Sequence, residues 1–283
     1  MDVLSTRIRE LPLVFLDLET TGLNPEEGHE ILEFGAVKTQ AGEEKAQIAT
    51  LIRPTRPIPP ESVKIHGITD LFVMGAPSFE MAAPDILEFI GDSIIIAHNA
   101  PFDVGFLSVA LQQVGRKLPD NLVLDTVQLS RTLHPAQMNH KLDTLKLNYA
   151  VAADRAHRAL DDSRALARVF VKMLEKNFHN LDGGPTFAEV AAKAAPLLRF
   201  LDFADGIPAP KPEHRALVRW ALREKADLHM SYSAPGRTIP EDIRVSPIEL
   251  TSGATMQLRA MLRPKNEEIH LDFGRIKACR RAG

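Results

Sequence analysis

Leu13-Val14-Phe15-Leu16-Asp17-Leu18-Glu19-Thr20-Thr21-Gly22-Leu23 is the stretch whose reading decides the fold. Leu13 to Leu16 is a short apolar run, the pattern of a buried strand. Asp17 and Glu19 follow two residues apart, and the alternation of side chains along a strand turns both to one face. Thr20-Thr21-Gly22 then interrupts the strand. Two like charges on one face make each other costly to ionise unless a cation lies between them. A hard divalent ion with oxygen ligands fills that role. Solvation of two acids at an exposed strand end is the plainer alternative, and the motif alone does not separate the two.

Working outward, residues 30–39 and 45–52 have strand composition and are joined by a turn at Gln40-Ala41-Gly42. With the opening strand they predict an antiparallel meander. Residues 53–60 hold four prolines and predict a loop; 65–69 reads as irregular. Ser78 can cap a helix to Ile90 that buries Phe79, Ile86, Phe89 and Ile90. Residues 93–97 form a second buried strand, and Asn99-Ala100-Pro101 opens a helix with Asn99 as its cap. Residues 122–125 are a short strand; 141–149 and 159–177 are helical. Strand–helix alternation after a meander predicts an α/β fold.

Two further acidic stations follow. His98-Asn99-Ala100-Pro101-Phe102-Asp103 begins where the second buried strand turns polar, the sheet edge at which α/β proteins place ligands. Asp103 falls in the first turn of the next helix, where an acid is also favoured by the helix dipole alone. In His157-Arg158-Ala159-Leu160-Asp161-Asp162, the following helix has Leu166, Val169, Phe170, Met173 and Leu174 on its apolar stripe. Asp162, four residues before Leu166, continues that stripe and points inward. Asp161 groups with Ala165, Arg168 and Lys172 and points outward. An inward carboxylate needs a partner, and His157 stands on the loop before it.

Together, Asp17, Glu19, Asp103 and Asp162, with His157 five residues before the last acid, resemble the DEDD exonuclease superfamily in its histidine-containing branch. The nearest type is the epsilon proofreading subunit of bacterial replicative polymerase. Three motifs in order are far more specific than one, and the resemblance covers about residues 11–178. It implies a ribonuclease-H-like mixed sheet flanked by helices. It also implies two Mg²⁺ or Mn²⁺ ions and hydrolysis of nucleic acid from the 3′ end to nucleoside monophosphates, with the 3′ end of single-stranded DNA as the expected partner. Asp17 would bridge the ions, Glu19 and Asp162 would hold the ion on the nucleophile side, and Asp103 would orient the other. His157 would take the proton of the attacking water. By the same resemblance, Thr20, Thr21, the His66-Gly67-Ile68 segment, Asn99 and Phe102 border the terminal nucleotide.

Asn180-Leu181-Asp182-Gly183-Gly184-Pro185 predicts a domain boundary. The expected division is an exonuclease domain over 1–180, a linker over 181–212 and a C-terminal domain over 213–283. Within the linker, 186–201 reads as helical apart from Pro196, and Ile207-Pro208-Ala209-Pro210-Lys211-Pro212 as an extended spacer. A helix at 213–224 precedes strands at 228–232, 243–250, 255–263 and 269–273. Epsilon-type proteins end in a segment that binds the polymerase; nothing in this tail indicates that role, and polymerase association stays open. The tail resembles a WYL domain, a small β-barrel module, with Met256-Gln257-Leu258 in place of the signature Trp-Tyr-Leu. That resemblance implies sensing of a ligand or of single-stranded nucleic acid; a structural β-domain is the alternative.

The chain has 283 residues, 45% hydrophobic and 25% charged, an ordinary globular composition. Its one cysteine, Cys279, excludes an internal disulfide and a cysteine-built zinc site and suits a reducing compartment. Residues 1–10 lack a signal-peptide core, and Ile94-Ile95-Ile96-Ala97 is too short to cross a bilayer. A cytoplasmic protein with no membrane partner is expected. Residues 1–183 hold 18 Lys+Arg against 25 Asp+Glu, and residues 184–283 hold 16 against 12. An acidic part with a basic appendage fits a metal-dependent nuclease, and fits two unrelated solvated surfaces equally. Three functional readings stay open: a DNA exonuclease, an RNA-trimming exonuclease, and a non-catalytic binding protein on a nuclease-like fold.

Overall fold

The computed structural model describes residues 2–152, 157–203, 212–232, 241–250 and 257–282. They fall into two compact units, Met1–Ala204 and Asp205–Gly283. In chain order, the first holds β1 (Leu13–Thr20), β2 (Ile31–Gln40), β3 (Glu43–Leu51), α1 (Pro60–His66), α2 (Asp70–Val73), α3 (Phe79–Ile90), β4 (Ile94–Ala97), α4 (Ala100–Gln113), β5 (Leu122–Asp125), α5 (Thr126–Leu133), α6 (Leu142–Asn148), α7 (Ala159–Asn177), α8 (Phe187–Lys193) and β6 (Leu198–Arg199).

The sheet runs β3-β2-β1-β4-β5-β6. The meander β1-β2-β3 is antiparallel, β1-β4 and β4-β5 are parallel, and β6 closes the edge antiparallel to β5. This is the ribonuclease-H-like mixed sheet flanked by helices. Its central strands β1, β4 and β5 are buried on both faces, and β1 shows why. Val14, Leu16 and Leu18 pack into a core with Ile86 and Ile90 of α3 and Val104, Phe106 and Leu107 of α4. Leu13 and Phe15 pack into the opposite core with Leu166, Val169, Phe170 and Met173 of α7. Phe15 meets Phe170 edge-on, with ring centroids 5.5 Å apart. Because the period is two, Asp17 and Glu19 continue the Leu13–Phe15 face, toward α7.

The structure departs from sequence expectation at several points. β1 carries Asp17 and Glu19 as expected but runs on to Thr20, one residue into the expected break at Thr20-Thr21-Gly22. The proline-rich approach to His66 ends in a helix, α1, because Pro60 suits a first helical position and Gly67 closes it in the left-handed region at φ 71°. Ser78 and Asn99 stand at N-cap positions, but neither side chain makes a cap bond. Asn99 is itself left-handed, at φ 76°; its N–H donates instead to Asp125 Oδ1 at 3.1 Å.

The stretch expected to link the domains divides. Thr186 and Glu189 form a capping box that starts α8. The helix ends before Pro196, and β6 follows where a helix was predicted. Phe187 and Val190 enter the α7-side core, and Leu198, Phe200 and Phe203 enter the other. Residues 186–203 thus complete the first unit, while residues 207–211 of the proline-rich spacer lie outside the described residues.

The second unit has α9 (Pro212–Glu224), β7 (Leu228–Tyr232), β8 (Glu241–Leu250), β9 (Gln257–Arg263), β10 (Glu267–Asp272) and β11 (Ile276–Arg281). Its five strands form a separate antiparallel sheet ordered β10-β9-β8-β7-β11. Val218 and Ala221 of α9 share a core with Leu228, Met230, Val245, Leu258, Ala260 and Phe273. β11 was not expected: Ile276-Lys277-Ala278-Cys279-Arg280-Arg281 lacks a clean apolar alternation, and its pairing to β7 creates it. Thr255 and Met256, part of the predicted WYL match, lie outside the described residues. Among the described residues, no helix is long and apolar enough to cross a membrane.

Candidate active site

A cavity of about 230 Å³ opens at the carboxyl end of β1, lined by Asp17, Leu18, Glu19, His98, Leu142, Asp143, His157 and Asp162. Asp17 and Glu19 come from β1, His98 from just past β4, and Leu142 and Asp143 from the start of α6. His157 and Asp162 come from the loop before α7 and its first turn. The edge where parallel strands end is the usual ligand edge of such sheets.

Local sequence explains how α7 reaches this position. Gly35 lies opposite Asp17 in the β1-β2 pairing. A Cβ built on it would stand 2.1 Å from the Leu160 nitrogen and 2.2 Å from the Ala159 carbonyl carbon. Only glycine lets the helix backbone rest directly on the strand. Ser163 Oγ lies within hydrogen-bond distance of the Gly35 carbonyl at 2.8 Å. Glu33, buried and opposite Glu19 in register, accepts from the Ala159 N–H at 3.1 Å. The same carboxylate takes Arg158 through Nε at 3.1 and 3.2 Å and through Nη2 at 2.6 Å. It therefore caps α7 from a neighbouring strand and engages Arg158 in a charge-assisted fork. The last link is within the motif itself: the His157 N–H donates to Asp162 Oδ2 at 2.9 Å, with His157 held at φ 62°.

The electrostatics are those of crowded acids. Burial, then Asp103, Glu19, Asp162 and Glu33, hold the Asp17 carboxyl well above the usual carboxylate range. Burial, then Asp162 and Glu33, push Glu19 up to about 8, against a lowering by Arg158. Burial raises Asp162 as well, opposed by Lys146 and by the His157 N–H. Such groups hold protons unless a cation takes their place. Ligand atoms of Glu19, His157 and Asp162 lie within 4.8 Å of one another. With Asp17 beside them, this oxygen-rich donor set suits a hard divalent ion.

Asp103 is buried behind the cavity wall. Its Oδ1 accepts from the Leu18 N–H at 3.1 Å, tying α4 to β1 between the two strand acids. Thr20, Thr21, His66, Asn99 and Phe102 are not among the lining residues. Thr20 and Thr21 close β1: Thr20 Oγ1 donates to the Gly22 carbonyl at 2.6 Å, and the Thr21 carbonyl accepts from Ser62 Oγ at 2.8 Å. His66 is buried; its Nδ1 accepts from the Ile68 N–H at 3.0 Å, and its Nε2 has no partner among the described residues. Phe102 lies 4.9 Å from Phe106, ring to ring, against the α3–α4 core.

Sequence reasoning passed over Glu33, Gly35, Asp143 and Lys146, and quoted His98 within the second motif without giving it a role. A signal existed for two of them. Glu33 is a lone acid within Ile31-Leu32-Glu33-Phe34. Lys146 occupies the apolar stripe of α6, at helical spacing from Leu142, Leu145 and Tyr149. It is buried, with Nζ 2.6 Å from Asp143 Oδ1 and 3.6 Å from Asp162 Oδ1. His98 lines the cavity with Nδ1 2.9 Å from Thr126 Oγ1, and burial pushes it down to about 4.

Comparison with known proteins agrees with this architecture. Residues 14–170 match the family model described as Exonuclease, of the RNase T type. The chain is 40% identical over 163 residues to a DNA polymerase III PolC-type of Caldanaerobacter subterraneus, covering 58% of this chain and 12% of that protein. It is 38% identical over 192 residues to a putative bifunctional exonuclease/endonuclease protein of Mycobacterium tuberculosis, covering 65% and 29%. The match thus spans less than a third of either relative. In fold it is similar to the nuclease domain of 3′hExo, a DEDDh family member bound to rAMP. The TM-score is 0.53 at 22% identity, covering 58% of this chain and 92% of that one. A match across more than half of the chain, on a sheet that carries the acids to one edge, makes this protein a member of the RNase T-type exonuclease family.

Proposed function

We propose that the chain is a metal-dependent 3′–5′ exonuclease of the histidine-containing branch, releasing nucleoside monophosphates from the 3′ end of DNA. The observation that carries this reading is the meeting of Asp17, Glu19, His157 and Asp162 at one cavity from three separate elements. Two Mg²⁺ or Mn²⁺ ions would supply Lewis acidity and a more acidic water. Asp17, Glu19 and Asp162 would hold them. Asp103, with one oxygen occupied by the Leu18 N–H, would act from behind Asp17. His157 is the candidate base: it is exposed at the cavity, whereas His98 is half-buried and too weak a base at about 4 to accept a proton near neutral pH. The backbone at Thr20 and the unpartnered Nε2 of His66 are the candidate contacts to the terminal nucleotide, with Thr21, Asn99 and Phe102 around them.

The C-terminal unit is proposed as a WYL-like module that senses nucleic acid or another ligand. What supports this is a five-stranded antiparallel sheet with a basic sequence. Part of that charge is engaged internally. Arg259 lies 3.3 Å from Glu249 and 3.4 Å from Glu268, and Arg281 stacks 3.9 Å from the Trp220 ring centroid.

The test is an end-labelled panel of single-stranded DNA, mismatched duplex DNA and RNA, each with Mg²⁺, Mn²⁺ or chelator. Stepwise shortening from the 3′ end of DNA that stops with chelator is the expected result. Preference for RNA would reassign the substrate, and an inert protein on every substrate would leave a binding role.

A further inference from the structure

Lys146 is a lysine where the helix pattern calls for an apolar side chain. α6 turns Leu145 into the α7-side core, with Leu142 and Tyr149 packed there too, and Lys146 follows on the same stripe. Its side chain keeps only 7% of its exposure. A buried ammonium is costly unless paired, and this one is paired twice. Asp143 Oδ1 lies at 2.6 Å, a charge-assisted hydrogen bond, and Asp162 Oδ1 lies at 3.6 Å. The two acids differ in setting: the Asp143 side chain is 65% exposed and that of Asp162 13%. Asp162 is also the acid whose other oxygen accepts the His157 N–H. Lys146 therefore reaches the acid cluster at Asp162, whereas Arg158 lies against Glu33.

We propose that Lys146 is an internal counter-cation that competes with the divalent ion for Asp162 and so sets how tightly the cluster holds metal. Without the ion, the ammonium offsets part of the repulsion among Asp17, Glu19 and Asp162. With the ion bound, the same charge faces a like charge and weakens its hold, while Asp143, 2.6 Å from the ammonium, shares its charge. Lys146 is thus a positioning residue. The inference rests on the metal-dependent reading above, and its test needs no turnover.

The full-length protein, wild type and variants, would be titrated with Mn²⁺, following binding by calorimetry and by the melting temperature with and without the ion. Lys146→Met keeps the length of the side chain and removes the charge. It should melt lower than wild type without metal and bind Mn²⁺ roughly tenfold more tightly or better, given the size of charge–charge terms at this range. Asp143→Asn, at an exposed position, should act in the opposite sense. It frees the ammonium to bear on Asp162 and should weaken Mn²⁺ binding several-fold. Lys146→Arg should stay close to wild type. Unchanged or weaker Mn²⁺ binding by Lys146→Met, with wild type binding normally, would overturn the competition while leaving the metal-dependent reading intact. If Lys146→Met does not fold, unchanged or tighter binding by Asp143→Asn would overturn it. No Mn²⁺ binding by wild type would overturn both.

Discussion

Gly35 of the second strand lies directly under the peptide that joins Ala159 to Leu160, so close that a Cβ would sit 2.1 Å from the Leu160 nitrogen. The start of α7 is seated there, and with it Asp162 and His157. Gly35→Ala should therefore lift the helix start from the sheet. Overpacking of this kind costs about 1–3 kcal/mol. The expected outcome is a folded protein of reduced melting temperature whose metal affinity and cleavage both fall. Wild-type metal affinity in a stable Gly35→Ala protein would detach the seating from the site.

Asp162 lines the cavity, whereas Asp161 turns aside and lies 3.6 Å from Arg164. Asp162→Asn should lower cleavage by more than roughly a hundredfold, the upper end for partners one layer further from a metal. Asp161→Asn should stay within a few-fold of wild type. Steady-state rates on a labelled oligonucleotide measure both, and a reversed order would mean that the helix face has been misassigned.

His157→Ala should reduce turnover by roughly 10²–10⁴-fold, the usual contribution of a general base. Metal affinity should change much less than turnover. An alanine variant with near-normal turnover would remove His157 from the proton transfer.

Acidity should trade against metal. Glu19 is raised from its ordinary 4.5 to about 8, and Asp17 is raised in the same direction. The folded protein therefore holds these protons more tightly than the unfolded chain. Their contribution to stability is complete below about pH 4.5 and is lost as pH rises through about 8. Without metal, the melting temperature should decline across that window. Saturating Mn²⁺ should flatten the decline, since the ion takes the place of the protons. A metal-free protein whose stability rises through the same window would contradict the crowding of acids.

Cutting the chain should expose where the first unit ends. A chain ending at Asn180 loses Phe187, Phe200 and Phe203 from the two cores. Losing one buried phenylalanine costs about 3–5 kcal/mol, so three approach the whole stability of a typical domain, about 5–15 kcal/mol. That chain should be insoluble or largely unfolded, and one ending after Phe203 should fold. Equal melting of the two would show that residues 186–203 contribute little.

By itself, the sequence determined the exonuclease family and most of the sheet. The period-two pattern of β1 carried Asp17 and Glu19 to one face. The helical period of α7 aimed Asp162 inward and Asp161 aside, because both signals are local and repeat every few residues. Tertiary structure decided what depends on distant partners. Glu33 caps a helix more than a hundred residues away, Asp125 receives the N–H of Asn99 itself, and Gly35 matters only because α7 rests on it. β6 is two residues long and exists because β5 offers it an edge. Lys146 breaks its helix stripe visibly, but the meaning of the break lies across space, in the carboxylate of Asp162 that the folding of α7 brings to its ammonium.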